Sequence, residues 1–208
     1  RIGRIEQVNA LRLRSLKFAC APERYTTAVV DRLGRLNRLT VVRPLRLEIE
    51  TQFVHSSQIG PVHRELAEKL RNKGITVYAN TPLLGEINDS ADEINRIAYR
   101  LREAGIEFHH VLVAGMAFQE KWNRRRPVDV AHVIDIGTRV RKDGSGREIP
   151  RYIIRTALGE VDFGLTSRLY RDKERLLVRL SPYDLDYYRK MAPDFQWPEG
   201  VDTDPDGA

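Results

Sequence analysis

The sequence predicts an α/β protein built on parallel strands, and three observations predict it. The stretch from Leu70 to Gly105 reads as a helix end, a strand, a whole helix and the lead into another strand. Strand–helix–strand is the unit that imposes parallel pairing. Four such strand–loop–helix units follow one another at spacings of thirty-odd residues, which points to an α/β barrel or a doubly wound sheet. Several strands also alternate charged with apolar residues, whereas an ordinary buried parallel sheet is apolar on both faces.

Val8 to Phe18 alternates Leu11 and Leu13 with Arg12 and Arg14 and reads as the first strand. Pro22-Glu23 opens a helix whose apolar stripe is Tyr25, Val29, Val30, Leu33 and Leu36. Leu45 to Val54 is the second strand, with Leu47, Ile49, Thr51 and Phe53 opposite Arg46, Glu48, Glu50 and Gln52. After a loop from His55 to Gly60, Pro61 starts a helix that ends in cations and Gly74. Ile75 to Leu84 is the third strand. Ser90 with Glu93 has capping-box spacing, and Ile94, Ile97, Ala98 and Leu101 form one helical face before Gly105.

Phe108 to Gly115 is the fourth strand. A polar loop runs through Lys121-Trp122-Asn123-Arg124-Arg125-Arg126, and Pro127 begins a helix with Val130, Val133, Ile134 and Val140 inside. Beyond Gly146 the character changes to short strands at Tyr152–Ile154, Leu165–Tyr170 and Leu176–Leu180, with Arg171–Glu174 as a hairpin turn. A short helix is expected around Tyr183–Met191, and a disordered end after Pro198. The domain reading is therefore 1–146 for the α/β part, 147–192 for a β-rich extension and 193–208 for an acidic tail.

The chain has 208 residues and a net charge of +6, with 41% hydrophobic and 31% charged residues, so it reads as globular. Its acids gather at the end: nothing after Lys190 is basic, while Asp194, Glu199, Asp202, Asp204 and Asp206 are acidic. The basic body favours anionic partners, although no compact Lys/Arg run interleaved with aromatics argues for nucleic acid. No apolar window is long enough to span a membrane. The single cysteine, Cys20, excludes an internal disulfide and a self-contained zinc or iron–sulfur site, fits a reducing, cytoplasmic setting, and reads as a small buried filler.

The charged sides of the strands suggest a polar lumen or cleft in which Arg12 and Arg14 face Glu48 and Glu50, with Tyr78 and Asn80 beside them. Arg14, Ser15, Gln52, His55, Asn80, Thr81 and the strand from His109 to Met116 lie near strand C-terminal ends, where such folds bind ligands. An antiparallel sheet with one wet face is the competing reading. His109 and His110, as strand neighbours, should point to opposite faces and so do not suggest a metal site with His132.

Leu83-Leu84-Gly85-Glu86-Ile87-Asn88-Asp89, preceded by Gly74-Ile75 and Tyr78-Ala79-Asn80-Thr81, resembles the lysine 2,3-aminomutase family of radical S-adenosylmethionine enzymes. There a strand G-N-Q-x-V-L-L runs into R-G-V-N-D. Glu50-Thr51-Gln52-Phe53-Val54-His55 is similar to the family's N-T-H-F-N-H, and Arg126-Pro127-Val128 to its R-T-P-V. Ile149 to Ile154 resembles its P-T-Y-V-V strand, and Ser167 to Leu180 its terminal hairpin. The resemblance spans most of residues 8–180. It implies the last four βα units of a partial (β/α)6 TIM-like barrel plus a C-terminal β-hairpin extension, in a chain that is a fragment of a longer enzyme.

The resemblance further implies S-adenosylmethionine as cofactor, contacted by Arg12, Ser15, Gln52, His55 and Asn80. A [4Fe-4S] cluster would be carried by a C-x3-C-x2-C motif that this chain lacks. The family's lysine-recognising aspartates fall on Met116 and Arg155, so the substrate-binding positions depart from the pattern. Arg155 in place of an aspartate would favour an anionic group over an ammonium, unless it is a structural ion-pair residue. The glycine run Leu158 to Gly164 contains no lysine, and an imine needs an amine, which leaves pyridoxal phosphate doubtful.

The function so implied is 5′-deoxyadenosyl radical formation and hydrogen abstraction, with or without amino-group migration, on a substrate other than lysine. That substrate is an amino acid or another anionic metabolite; the fragment alone is expected to be inactive, and homo-oligomerisation is left open. The alternative is a non-catalytic α/β module binding an anionic ligand or nucleic acid.

Overall fold

The computed structural model describes residues 5, 7–37, 45–146, 149–156, 159–163, 167–172, 175–180, 190 and 193–194. Five parallel strands stand side by side in chain order: β1 (Ala10–Arg14), β2 (Arg46–Gln52), β3 (Thr76–Pro82), β4 (Glu107–Ala114) and β5 (Arg151–Thr156). A sixth strand, β6 (Gly159–Asp162), adds antiparallel to β5. The result is a mixed α/β fold on a curled, mostly parallel sheet. Among the described strands the order of this sheet does not reverse, so it shows no switch point of the doubly wound kind. Strands β7 (Ser167–Asp172) and β8 (Arg175–Leu180) form a separate antiparallel pair, as the sequence predicts.

The crossovers are helical, which disposes of the antiparallel wet-faced sheet. The turn α1 (Lys17–Cys20) and helix α2 (Thr27–Leu36) join β1 to β2; α3 (Pro61–Arg71) and α4 (Ala91–Glu103) make the next two connections. Helices α5 (Ala117–Asn123) and α6 (Val130–Asp143) lie between β4 and β5. Local signals place the ends. Thr26, Ser90 and Asp129 each accept a backbone N–H with their side chains at helix starts. Gly74 and Gly105, with φ of 71° and 69°, turn the chain out of α3 and α4 in the left-handed conformation that glycine adopts freely.

The core lies between sheet and helices. Leu47, Ile49, Val77, Ala79 and Val111 from the strands, with Phe53 just past β2, meet Leu66, Leu70, Ile94, Ile97, Leu101 and Ile136 from the helices, all buried. Each such aliphatic side chain contributes about 1.5–3 kcal/mol relative to an exposed one.

Several expectations are corrected. The first strand stops at Arg14, and Phe18 belongs to α1, wholly buried against Tyr25 and Phe53 rather than extending β1. On α2 only Val30 is buried, while Val29 and Leu36 are exposed. The expected polar loop contains helix α5, whose Gln119 is buried; its carboxamide donates to the carbonyls of Leu83, Leu112 and Val113. Cys20 is exposed, not a buried filler. The sheet also continues past residue 146 through β5 and β6. The helix expected at Tyr183–Met191 and the tail after Pro198 lie largely or wholly outside the described residues. Among the described residues no helix is long and apolar enough to cross a membrane.

Candidate functional site

The side of the sheet away from the core is ionic, and the strand register explains its order. Arg12 stands opposite Glu48 and Arg14 opposite Glu50; Glu50 then stands opposite Tyr78, and Gln52 opposite Asn80. The Nε–H of Arg12 donates to Glu48 Oε2 at 2.9 Å, and Arg12 also lies 3.6 Å from Glu50. Arg14 pairs with Glu50 at 3.0 Å and Arg46 with Glu48 at 2.7 Å. Arg46 also donates to the Tyr78 hydroxyl at 2.8 Å, and the Arg12 guanidinium sits 5.0 Å from the centre of the Tyr78 ring. Two nearly buried carboxylates are thus answered by three partly exposed arginines. Buried carboxylates are tolerated on such terms.

Farther across, the pattern repeats with different partners. Arg151 pairs with Asp162 at 2.8 Å, and Arg155 with Glu160 at 2.8 Å, across the β5–β6 ladder. Arg155 therefore takes the ion-pair role between the two alternatives that the sequence left open.

Between the two ionic walls lies a neutral strip. The β3–β4 register shifts between Ala79 and Asn80, so that Ala79 faces Phe108 while Asn80 faces His110, and His109 is the extra residue. A bulge re-aims side chains. It overturns the expectation that His109 and His110 point to opposite faces: their rings stack 3.7 Å apart, 21° from parallel, and Tyr78 lies 5.4 Å from His109. Burial, then the Arg12 charge, holds His109 below its ordinary value. Burial, followed by His109, pushes His110 down to about 4. Both imidazoles are neutral near pH 7. Among the described residues no His, Cys, Asp and Glu cluster could hold a metal ion.

The positions singled out in the sequence separate into those brought together and those set apart. Gln52, Asn80 and Met116 converge: Asn80 is 2% exposed beside Gln52, whose carboxamide N–H reaches the Met116 sulfur at 3.9 Å. Arg12 joins them through Glu50 and Tyr78. His55 stands just past β2. Its Nδ1 meets the Ser57 hydroxyl at 2.8 Å, and its Nε2 lies 3.4 Å from Glu93. Ser15 follows the parity of Leu11 and Leu13, on the side of Tyr25, which packs on Phe18. It is set apart from the ionic side.

Three structural anchors behind the site carry only a partial sequence signal. Ser90 Oγ accepts the N–H of Glu93, as the capping-box spacing predicts, but the Glu93 carboxylate turns elsewhere. It accepts the Ser56 N–H at 2.7 Å and Arg96 at 2.9 Å, tying α4 to the end of β2. Burial opposes its ionisation, yet these donors together with His55 hold its carboxyl below the usual range. Asn88 accepts from the Leu84 N–H and donates to the carbonyls of Val54 and Pro82, pinning the loop after β3. Gln119 does the same for the end of β4. A cavity of about 270 Å³ opens nearby, lined by Val113, Gly115, Gln119, Val133, Ile154 and Phe163 among others.

The fold and this face define a mixed α/β protein whose parallel sheet carries an ion-paired surface opposite its core. Against known proteins, no family model matches the chain. Over 110 residues it is 26% identical to the L-lysine 2,3-aminomutase of Escherichia coli K12; the match covers 52% of this chain and 30% of that protein. Among solved structures it is similar to phosphofructokinase-2 from Escherichia coli in complex with potassium. That superposition covers 74% of this chain and 40% of the other, with 11% identity and a TM-score of 0.29.

Proposed function

We propose that this chain forms part of a radical S-adenosylmethionine enzyme related to the aminomutases, and that its polar sheet face lines the cavity of a partial (β/α)6 barrel. The supporting observation is the coincidence of the distant aminomutase match with a polar, not apolar, inner strand face. The singly wound strand order and the placement of Gln52, Asn80 and Met116 on that face are consistent with it.

The residues fit the cofactors unequally. Gln52 offers a carboxamide at the end of β2 and His55 stands just beyond it, so both suit the polar groups of S-adenosylmethionine. When cleaved reductively, that cofactor supplies a hydrogen-abstracting adenosyl radical. Gln52 and His55 would orient it, and the Arg12–Glu48–Glu50 lattice would fix the wall behind them. A [4Fe-4S] cluster does not fit this chain, whose only thiol is the exposed Cys20; its ligands would come from elsewhere in the protein. For pyridoxal phosphate, residues 158–164, where the resemblance places the family's lysine, offer no amine for an imine.

A non-catalytic module for an anionic ligand has less support. Arg12, Arg14, Arg46, Arg151 and Arg155 each already face a carboxylate.

The test is anaerobic reconstitution, with iron, sulfide and a reductant, of the protein expressed from the whole parent reading frame. Cluster absorbance and release of 5′-deoxyadenosine from S-adenosylmethionine are expected. A parent frame without three closely spaced cysteines, or a reconstituted protein that cleaves no cofactor, overturns the proposal.

A further inference from the structure

Among the described residues, three buried polar atoms of the inner face lack a hydrogen-bond partner: Asn80 Oδ1, His109 Nδ1 and His110 Nε2. They are neighbours, since Asn80 stands opposite His110 in register and His109 stacks on His110. Asn80 is 2% and His110 8% exposed. Native proteins leave few buried polar groups unpaired, so three together, on the side of the sheet away from the core, need an explanation. The Thr51 and Thr81 hydroxyls, also unpartnered, belong to strand positions that alternate with these.

The surroundings narrow the explanation. The cations on either side are occupied: Arg12 by Glu48 and Glu50, Arg151 by Asp162, Arg155 by Glu160. An anion entering here would have to displace a carboxylate from an existing pair, and an ammonium would find only neutral atoms in the strip itself. Burial keeps both imidazoles uncharged near neutrality, leaving each with one nitrogen to donate and one to accept. Asn80 Oδ1 can only accept.

We infer that Asn80, His109 and His110 bind an uncharged group that both donates and accepts hydrogen bonds, a hydroxyl or a carboxamide of the substrate. The group donates to Asn80 Oδ1 and exchanges a second hydrogen bond with His110 Nε2, while the bulge at His109 holds the imidazole in place. The inference rests on the proposed function only in calling this group the substrate's. It replaces the anionic group that Arg155 suggests in the sequence.

The experiment titrates the full 208-residue chain, labelled with nitrogen-15, with four probes: meso-erythritol, propionamide, L-glutamate and inorganic phosphate. The signals followed are the imidazole nitrogens of His109 and His110 and the Asn80 side-chain amide. A saturable shift is expected with erythritol or with propionamide, and which one responds distinguishes hydroxyl from carboxamide. The anions should leave these signals in place. Asn80→Leu should weaken the response about tenfold, the loss of one hydrogen bond of ordinary strength. His110→Phe keeps a stacked ring but removes the nitrogen, and should weaken it similarly with the circular dichroism unchanged. A saturable shift with glutamate or phosphate, or none with either neutral probe, overturns the inference. Binding of S-adenosylmethionine by the parent protein is measured separately; its loss would remove the proposed function and leave the neutral-probe result standing.

Discussion

Arg12 and Glu48 come from strands 36 residues apart, stand directly opposite each other in the sheet, and meet through an Nε–H···Oε2 hydrogen bond of 2.9 Å. Glu48 also holds Arg46 and the Tyr78 hydroxyl, so one carboxylate ties β1, β2 and β3 together on the polar face.

Replacing Glu48 by Gln should therefore destabilise the protein by about 1–2 kcal/mol, read from urea unfolding. The cost stays below that of a fully buried pair because Arg12 and Arg46 are half-exposed and water can take them back. Arg46→Ala, which leaves Glu48 with Arg12, should cost less than half as much.

Glu93 anchors the loop after β2 through the Ser56 N–H, and its side chain is 3% exposed. Glu93→Ala should cost about 2–3 kcal/mol, since it leaves a backbone donor and two side chains without their acceptor. Hydrogen exchange at Ser56 should accelerate far more than at Leu70 in the core.

Acid should weaken the fold in a window set by the stacked histidines. Both have folded values below the unfolded 6.5, His110 at about 4, so the unfolded chain takes up protons that the folded chain refuses. Their contribution to stability is level above pH 6.5 and falls as pH drops toward 4. The facing charges are Arg12 and Arg151, which oppose protonation, and Glu50 and Glu160, which favour it. His110→Phe should flatten the slope of unfolding midpoint against pH. An unchanged slope would mean that the ring is solvated.

Gly115 has a φ of 99°, and a Cβ there would clash with the Arg155 carbonyl oxygen. Gly115→Ala should lower stability by about 2–4 kcal/mol, combining overpacking with backbone strain, and should shift the Met116 signals. Thermal unfolding and a two-dimensional amide spectrum measure both.

Within the proposed function, Gln52→Leu should weaken binding of S-adenosylmethionine by the reconstituted parent protein about tenfold. Ser15→Ala should leave it unchanged, because Ser15 lies on the Tyr25 side of the sheet, away from the ionic face. Equilibrium dialysis distinguishes the two variants.

The sequence by itself determined the parallel strands, their main crossover helices and the existence of a charged strand face, but not helix α5, which it reads as a polar loop. Alternation at Arg12, Arg14, Glu48 and Glu50, the caps at Ser90 and Gly105 and the proline that opens α3 are local features, legible within a few residues, whereas α6 starts at Val130 behind the Asp129 cap and not at Pro127. Helical crossovers then required parallel strands. Only the tertiary structure decided which strands adjoin, that the order has no reversal, and that the ladder slips by one residue at His109. It also settled that Glu93 leaves its own helix end for Ser56, that Ser15 turns to Tyr25, and that Arg155 is held by Glu160. Each of these depends on register or contact between segments distant in the chain. Backbone hydrogen bonding is indifferent to side-chain identity, so such choices are made by packing and charge pairing among residues that no local pattern connects.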